Sequence, residues 1–196
     1  MRIGVFGGSF DPVHIGHLVA AEYVREAFQL DRVLFVPAAR PPHKENSPKA
    51  TPGQRLKMLE AAVQSHLQFA VSDIEIRREG PSYTVDTLRE LARSHQGAKL
   101  YFILGTDLLP DIQNWHDWRV ALEIATFVGV LRSADPGRKP PPEIRDAVKQ
   151  VAIPAIDVSS SLIRTRVAEG KSIRYLVPAP VADLIEQERL YRLADA

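Results

Sequence analysis

Two glycines and two histidines near the start of the chain are its most chemically suggestive residues. The stretch Gly7-Gly8-Ser9-Phe10-Asp11-Pro12-Val13-His14-Ile15-Gly16-His17 follows the apolar run Ile3-Gly4-Val5-Phe6 and passes directly into a helical pattern. It therefore reads as a strand, a glycine turn and a helix N-terminus. Paired glycines remove two Cβ atoms, so backbone N–H groups can approach an anion, and the free amides and positive dipole end of the helix favour negative charge. His14 and His17, three residues apart, fall on one side of the helix start and add side-chain donors. The chemistry this suits is phosphate binding. The stretch contains no Gly-x-x-x-x-Gly-Lys-Ser/Thr, and Gly4, Gly7 and Gly8 have the wrong spacing for Gly-x-Gly-x-x-Gly. Taken alone, Gly-Gly after a strand is more often a simple turn. Metal ligation by the histidines ranks below phosphate contact, because there is no His-Glu-x-x-His and no cysteine.

Other candidates stand at the ends of later apolar runs. Arg40-Pro41-Pro42-His43-Lys44 is a basic loop directly beyond the strand Arg32 to Pro37, where ligands of open α/β sheets bind, so His43 and Lys44 are candidates for phosphate. A solvated basic loop is the plainer reading. Gly80-Pro81-Ser82-Tyr83-Thr84 precedes a helix carrying Val85, Leu88, Leu91 and Ala92 on one face, with Ser82 or Thr84 as its N-cap. Asp107 follows the strand Lys99 to Gly105, placed to bind a ribose hydroxyl or a metal, or to cap the next helix. Of Trp115 and Trp118, one is expected in the core, and the other is free to stack on a flat ring beside the ligand loops. Ser159-Ser160-Ser161 opens a helix that carries Arg164 and Arg166 one turn in, which offers hydroxyls, amides and positive charge to an anion. Its plain reading is a serine cap.

The elements that position these residues alternate. Strands are expected at Ile3–Phe6, Arg32–Pro37, Phe69–Val71 with Ile74–Ile76, Lys99–Gly105, Thr126–Leu131 and Val151–Ile153 with Ala155–Ile156, the last broken around Pro154 and so at a sheet edge or ending early. Amphipathic helices run between them, one capped by Thr51 with Pro52 in its first turn, and Val181, Leu184 and Ile185 mark a closing helix. Asp135 to Pro142 is a surface loop. With 196 residues, 45% of them hydrophobic and 25% charged, the expectation is one globular domain over residues 1–196. Lys and Arg number 25 against 24 Asp and Glu, a net charge of +1 that gives no footprint for nucleic acid or membrane. The absence of cysteine removes disulfides, thiolate metal sites and cysteine nucleophiles. Neither a signal-peptide core nor an apolar run of ~18 residues is present, so a cytoplasmic protein is expected.

The Gly7–His17 string resembles the His-x-Gly-His signature of the nucleotidyltransferase superfamily. In order with Pro41-Pro42-His43-Lys44, Ser82-Tyr83-Thr84, Gly105-Thr106-Asp107, Trp115 and Ser159-Ser160-Ser161-Leu162-Ile163-Arg164, it is similar nearly end to end to the bacterial nicotinate-nucleotide adenylyltransferase family. That resemblance implies a Rossmann-like nucleotidyltransferase fold, a mainly parallel sheet with helices on both faces. It also implies transfer of AMP from ATP to nicotinate mononucleotide with Mg²⁺ as cofactor, giving deamido-NAD and pyrophosphate. Carried over, Gly7, Gly8, Ser9, Phe10, His14, His17, Ser160, Ser161 and Arg164 would hold ATP. His43, Lys44, Tyr83, Thr84, Asp107, Trp115 and Arg132 would hold the nicotinate nucleotide. His14, His17, Lys44 and Arg164 would serve catalysis, and no side chain is assigned to metal. The family usually reads Ile-Ser-Ser-Thr where this chain has Val158-Ser159-Ser160-Ser161; Ser161 keeps the hydroxyl. Pantetheine-phosphate adenylyltransferase is the nearest enzyme alternative, although it usually has threonine in place of His14. A non-catalytic nucleotide sensor is the alternative of another class. Preference for nicotinate over nicotinamide mononucleotide, and a homo-oligomeric state, stay open.

Overall fold

The computed structural model describes residues 1–40, 48–132 and 140–192. Six parallel strands form one sheet in the order β3-β2-β1-β4-β5-β6: β1 (Arg2–Gly8), β2 (Arg32–Pro37), β3 (Phe69–Val71), β4 (Lys99–Gly105), β5 (Ala125–Arg132) and β6 (Lys149–Ile153). Their side chains alternate between two apolar layers. Val33 and Phe35 join Phe6, Val24, Leu59, Ile163 and Ile185 on one face. Leu34 and Val36 join Ile3, Val5, Leu88, Phe102, Ile112 and Phe127 on the other. A period-2 split with both faces apolar is what a fully covered parallel sheet demands.

The first face is covered by α1 (Ile15–Phe28), α2 (Pro52–Val63), α7 (Ser160–Ala168) and α8 (Ala179–Gln187). The other carries α3 (Ile74–Arg77), α4 (Thr84–Ser94), a 3₁₀ segment (Thr106–Asn114), α5 (Trp118–Ile124) and α6 (Pro142–Ala147). Thr51 caps α2 as expected, its side chain accepting from the Gln54 N–H at 3.3 Å while Gln54 reaches back to the Thr51 N–H at 2.9 Å. β6 lies on the sheet edge as expected but ends at Ile153 before Pro154, so Ala155 and Ile156 fall outside it.

The structure corrects several local expectations. Ile74-Glu75-Ile76 does not extend β3; it forms the single turn α3, in which the Asp73 carbonyl accepts from the Arg77 N–H and the two side chains pair at 3.1 Å. The apolar i, i+2 pair mimics a strand, but the helical turn buries the adjacent Ile74 and Glu75 together. Neither Ser82 nor Thr84 caps α4, whose N-cap position is Tyr83 without a side-chain bond, and Ala92 on that helix is exposed. Asp107 lies inside the 3₁₀ segment rather than capping it. No helix among the described residues is long and apolar enough to cross a membrane.

Candidate active site

The chain runs outward from β1 to β3 on one side and from β4 to β6 on the other, so the topological switch falls between the carboxyl ends of β1 and β4. In an open α/β sheet that crevice is where a ligand fits. A cleft of about 1130 Å³ lies there, larger than the ~300–1,000 Å³ typical of a pocket for one drug-sized ligand. Gly8, Ser9 and His17 line it from the β1 side, Ser160 and Arg164 from α7, and Thr84, Asp107 and Trp115 from the opposite wall.

On the β1 side, the glycine loop rests on an aromatic floor. Phe10 takes a left-handed backbone, φ 48°, which a bulky residue adopts only when its surroundings enforce it. Its ring is buried edge-on to Phe6 and His17 at centroid distances of 5.6 and 5.0 Å. A Cβ on Gly8 would come within 3.0 Å of that ring, so glycine lets the loop lie flat on its floor. Ser9 Oγ is buried with no hydrogen-bond partner among the described residues. Beneath the loop, the fully buried Arg55 guanidinium donates to the Ser9 carbonyl at 2.8 Å.

The structure distinguishes the two histidines. His14 is 2% exposed and stacks against His17, centroids 3.6 Å apart. His17 lines the cleft, and its Nδ1 accepts from the His14 N–H at 3.2 Å. A neutral imidazole that accepts at Nδ1 carries its proton at Nε2, so the ring has a fixed donor.

The three serines before Arg164 do three separate things. Ser159 caps α7, accepting from the Leu162 N–H at 3.1 Å. Ser160 donates to the Pro12 carbonyl at 2.9 Å and so ties the helix start to the signature loop. Ser161 Oγ accepts from Arg164 Nη2 at 3.1 Å, while Arg164 Nη1 donates to the Asp11 carbonyl at 2.7 Å. The α7 amides and the Arg164 charge thus face the same crevice as the α1 N-terminus.

The opposite wall is aromatic. Trp115 stands edge-on to Phe102 at 6.2 Å, and Tyr83 lies against His116 at 4.5 Å. Trp118 is the core tryptophan, 8% exposed. Asp107 is exposed at the end of β4, its carboxylate filling the space a Cβ on Gly105 would need. Ser82 acts as a clamp, accepting from the Ala39 and Arg40 N–H groups at 3.0 and 3.1 Å. His43 and Lys44 lie outside the described residues, as do the Arg132 side chain and residues 133–139 of the Asp135–Pro142 loop. Among the described residues no group of three or more His, Cys, Asp or Glu is placed to hold a metal.

Among the ionisable cleft residues, Asp11, Lys49, Glu75 and His116 received no role from sequence reasoning. Asp11 stood inside the signature, and an acid between two isoleucines was the available signal for Glu75. The Glu75 carboxylate accepts from Thr87 Oγ1 at 2.6 Å, and burial pushes its pKa above the ordinary 4.5, opposed by Thr87, Ser82 and Arg78. The native state therefore holds that proton more tightly than the unfolded chain. Stability is lost as pH rises from 4.5 through the raised value and is level beyond it. Glu75→Gln escapes that loss, so its Tm should gain on the wild type across that window in thermal melts; a gap that is flat or shrinking with pH would contradict the assignment.

Known proteins place the chain in a family and a fold. A family model described as cytidylyltransferase-like matches residues 5–166. A relative from Geobacillus thermodenitrificans, described as a probable nicotinate-nucleotide adenylyltransferase, is 46% identical over 190 residues, 97% of this chain and 86% of that protein. Another of the same description from Thermus thermophilus is 47% identical over 192 residues, 98% of this chain and 100% of its own. In fold, the chain is similar to Plasmodium falciparum nicotinic acid mononucleotide adenylyltransferase complexed with NaAD, with a TM-score of 0.77 at 20% identity over 97% of each chain. The chain belongs to the nicotinate-nucleotide adenylyltransferases, within the cytidylyltransferase-like family.

Proposed function

We propose that the chain acts as a single nucleotidyltransferase domain. ATP lies along the β1–α1 loop and α7, nicotinate mononucleotide along the aromatic wall, and AMP passes from one to the other. An oxygen of the acceptor phosphate attacks the α-phosphorus of ATP. The bond from that phosphorus to the bridging oxygen breaks, its electron pair leaves with pyrophosphate, and deamido-NAD forms. The acceptor phosphate is already nucleophilic, so no covalent enzyme intermediate is needed. Catalysis is alignment plus stabilisation of charge on the departing pyrophosphate.

The observation that carries this reading is the convergence of two helix N-termini, the His17 ring and Arg164 on one crevice whose far wall is aromatic. In this arrangement His17 Nε2–H donates to the phosphates with His14 stacked behind it, the Gly7–Phe10 amides approach the triphosphate, and Ser160, Ser161 and Arg164 hold its β- and γ-phosphates. Tyr83, Thr84 and Trp115 take the nicotinate ring, Asp107 a ribose hydroxyl, and His43, Lys44 and Arg132 the acceptor side. Mg²⁺ would be carried mainly on the phosphates and would supply charge neutralisation there, with Asp107 among the cleft carboxylates able to assist. A cysteine-free chain using these substrates fits the cytoplasm.

With ATP, Mg²⁺ and nicotinate mononucleotide, pyrophosphate and deamido-NAD should appear in equal amounts; pyrophosphate without dinucleotide would contradict transfer. Trp115→Ala should raise the KM for nicotinate mononucleotide by about tenfold, the scale of losing one ring stack, and leave the KM for ATP nearly unchanged. Equal shifts in both would remove Trp115 from the ring pocket.

A further inference from the structure

Asp11 is 4% exposed, and its carboxylate gathers donors from three distant parts of the chain. The Lys49 N–H reaches Oδ2 at 2.8 Å and the Ala50 N–H reaches Oδ1 at 3.0 Å. The Tyr191 hydroxyl, 180 residues away, donates to Oδ1 at 2.8 Å. Arg164 Nη1, which holds the Asp11 carbonyl, lies 3.7 Å from Oδ2. The turn after α8 that brings the tyrosine here uses two left-handed non-glycine residues, Arg189 at φ 51° and Tyr191 itself at φ 62°. Surroundings must enforce such a backbone, and here it carries the phenol to Asp11.

We propose that Tyr191 is a positioning residue for the triphosphate site, its hydroxyl fixing the Asp11 carboxylate and Asp11 in turn fixing the Arg164 guanidinium on the cleft wall. The Ala50 N–H and the Tyr191 hydroxyl on Oδ1, with the Lys49 N–H on Oδ2, set the plane of the carboxylate, and that plane decides where Oδ2 meets Arg164. Burial and the neighbouring Asp11 raise the phenol pKa far above its usual 10, so the hydroxyl stays a donor wherever the protein is folded. Loss of the hydroxyl lets the Asp11 carboxylate turn and weakens its 3.7 Å pairing with Arg164, while the bonds from Arg164 to the Asp11 carbonyl and Ser161 Oγ stay and no group that touches nucleotide is removed. This inference rests on the assignment of Arg164 to the ATP phosphates.

The test is steady-state kinetics on Tyr191→Phe, which keeps the ring and removes the hydroxyl. The KM for ATP should rise about tenfold, or 1.4 kcal/mol, with kcat within about twofold and the KM for nicotinate mononucleotide unchanged. Combined with Arg164→Ala, Tyr191→Phe should raise the KM for ATP no further, because the group it positions is gone. Tyr191→Leu, which also removes the ring, should lower Tm but match Tyr191→Phe in KM. An unchanged KM for ATP in Tyr191→Phe, independent effects in the double variant, or a much larger rise in Tyr191→Leu would each overturn the role. A wild-type chain that does not turn over ATP would overturn the functional reading and this inference together, whereas an active wild type with an unaffected Tyr191→Phe would remove only the tyrosine.

Discussion

His17→Ala should lower kcat by about 10²- to 10³-fold while the protein stays folded. The size follows from the role: a donor held in place and aimed at developing charge in the cleft is worth that much when removed. The imidazole meets the positional requirement, because Nδ1 accepts from the His14 N–H, which places the neutral ring's proton on Nε2, and the His14 ring stacks at 3.6 Å. The structural cost is small by comparison. The substitution leaves one backbone N–H without its acceptor, a loss of about 1–3 kcal/mol, or several degrees in Tm for a chain of this size. Turnover and thermal melts on the same preparation check this, and equal kcat in a folded variant would take His17 out of the mechanism.

Arg164→Ala should cost about 10²- to 10³-fold in kcat/KM, mostly through ATP. The guanidinium is held from two sides, donating to the Asp11 carbonyl at 2.7 Å and to Ser161 Oγ at 3.1 Å, so its charge is fixed in the crevice beside the α7 amides. Arg164→Lys should recover only part of the loss, since an ammonium restores the charge but cannot hold both partners with a planar fork. A modest fall in Tm should accompany the alanine variant, because Asp11 loses its nearest cation in the cleft wall. If the alanine variant keeps kcat/KM within about threefold, the phosphates are held elsewhere.

The parts of this molecule that are legible in its sequence are those fixed by short-range rules. β2 spans Arg32–Pro37, the limits of its apolar run, and Thr51-Pro52 starts α2 through capping chemistry confined to four residues. The crevice was also readable, because glycines and hydroxyls at strand ends must gather at the carboxyl edge of a parallel sheet. What could not be read depends on contacts between distant segments. Ile74-Glu75-Ile76 has the spacing of a strand, and only packing against β2 and α4 decides that Glu75 turns inward to Thr87. Ser82 has the composition of a cap, yet it spends its hydroxyl on Ala39 and Arg40, more than 40 residues away. His14 and His17 look equivalent in the string, and burial alone separates the ring in the cleft from the ring behind it. Asp11 and Tyr191 stand at opposite ends of the chain, where no local pattern links them.

The most direct test of the account is the rate of pyrophosphate release with ATP and Mg²⁺ when nicotinate mononucleotide, nicotinamide mononucleotide and phosphopantetheine are offered as acceptors under identical conditions. The aromatic wall of Tyr83 and Trp115 predicts a strong preference for a pyridine mononucleotide over phosphopantetheine, and membership of the nicotinate-nucleotide adenylyltransferases predicts that nicotinate mononucleotide is fastest. Preference for phosphopantetheine would keep the ATP side of the cleft and refute the ring pocket, and no release with any of the three would contradict catalysis altogether.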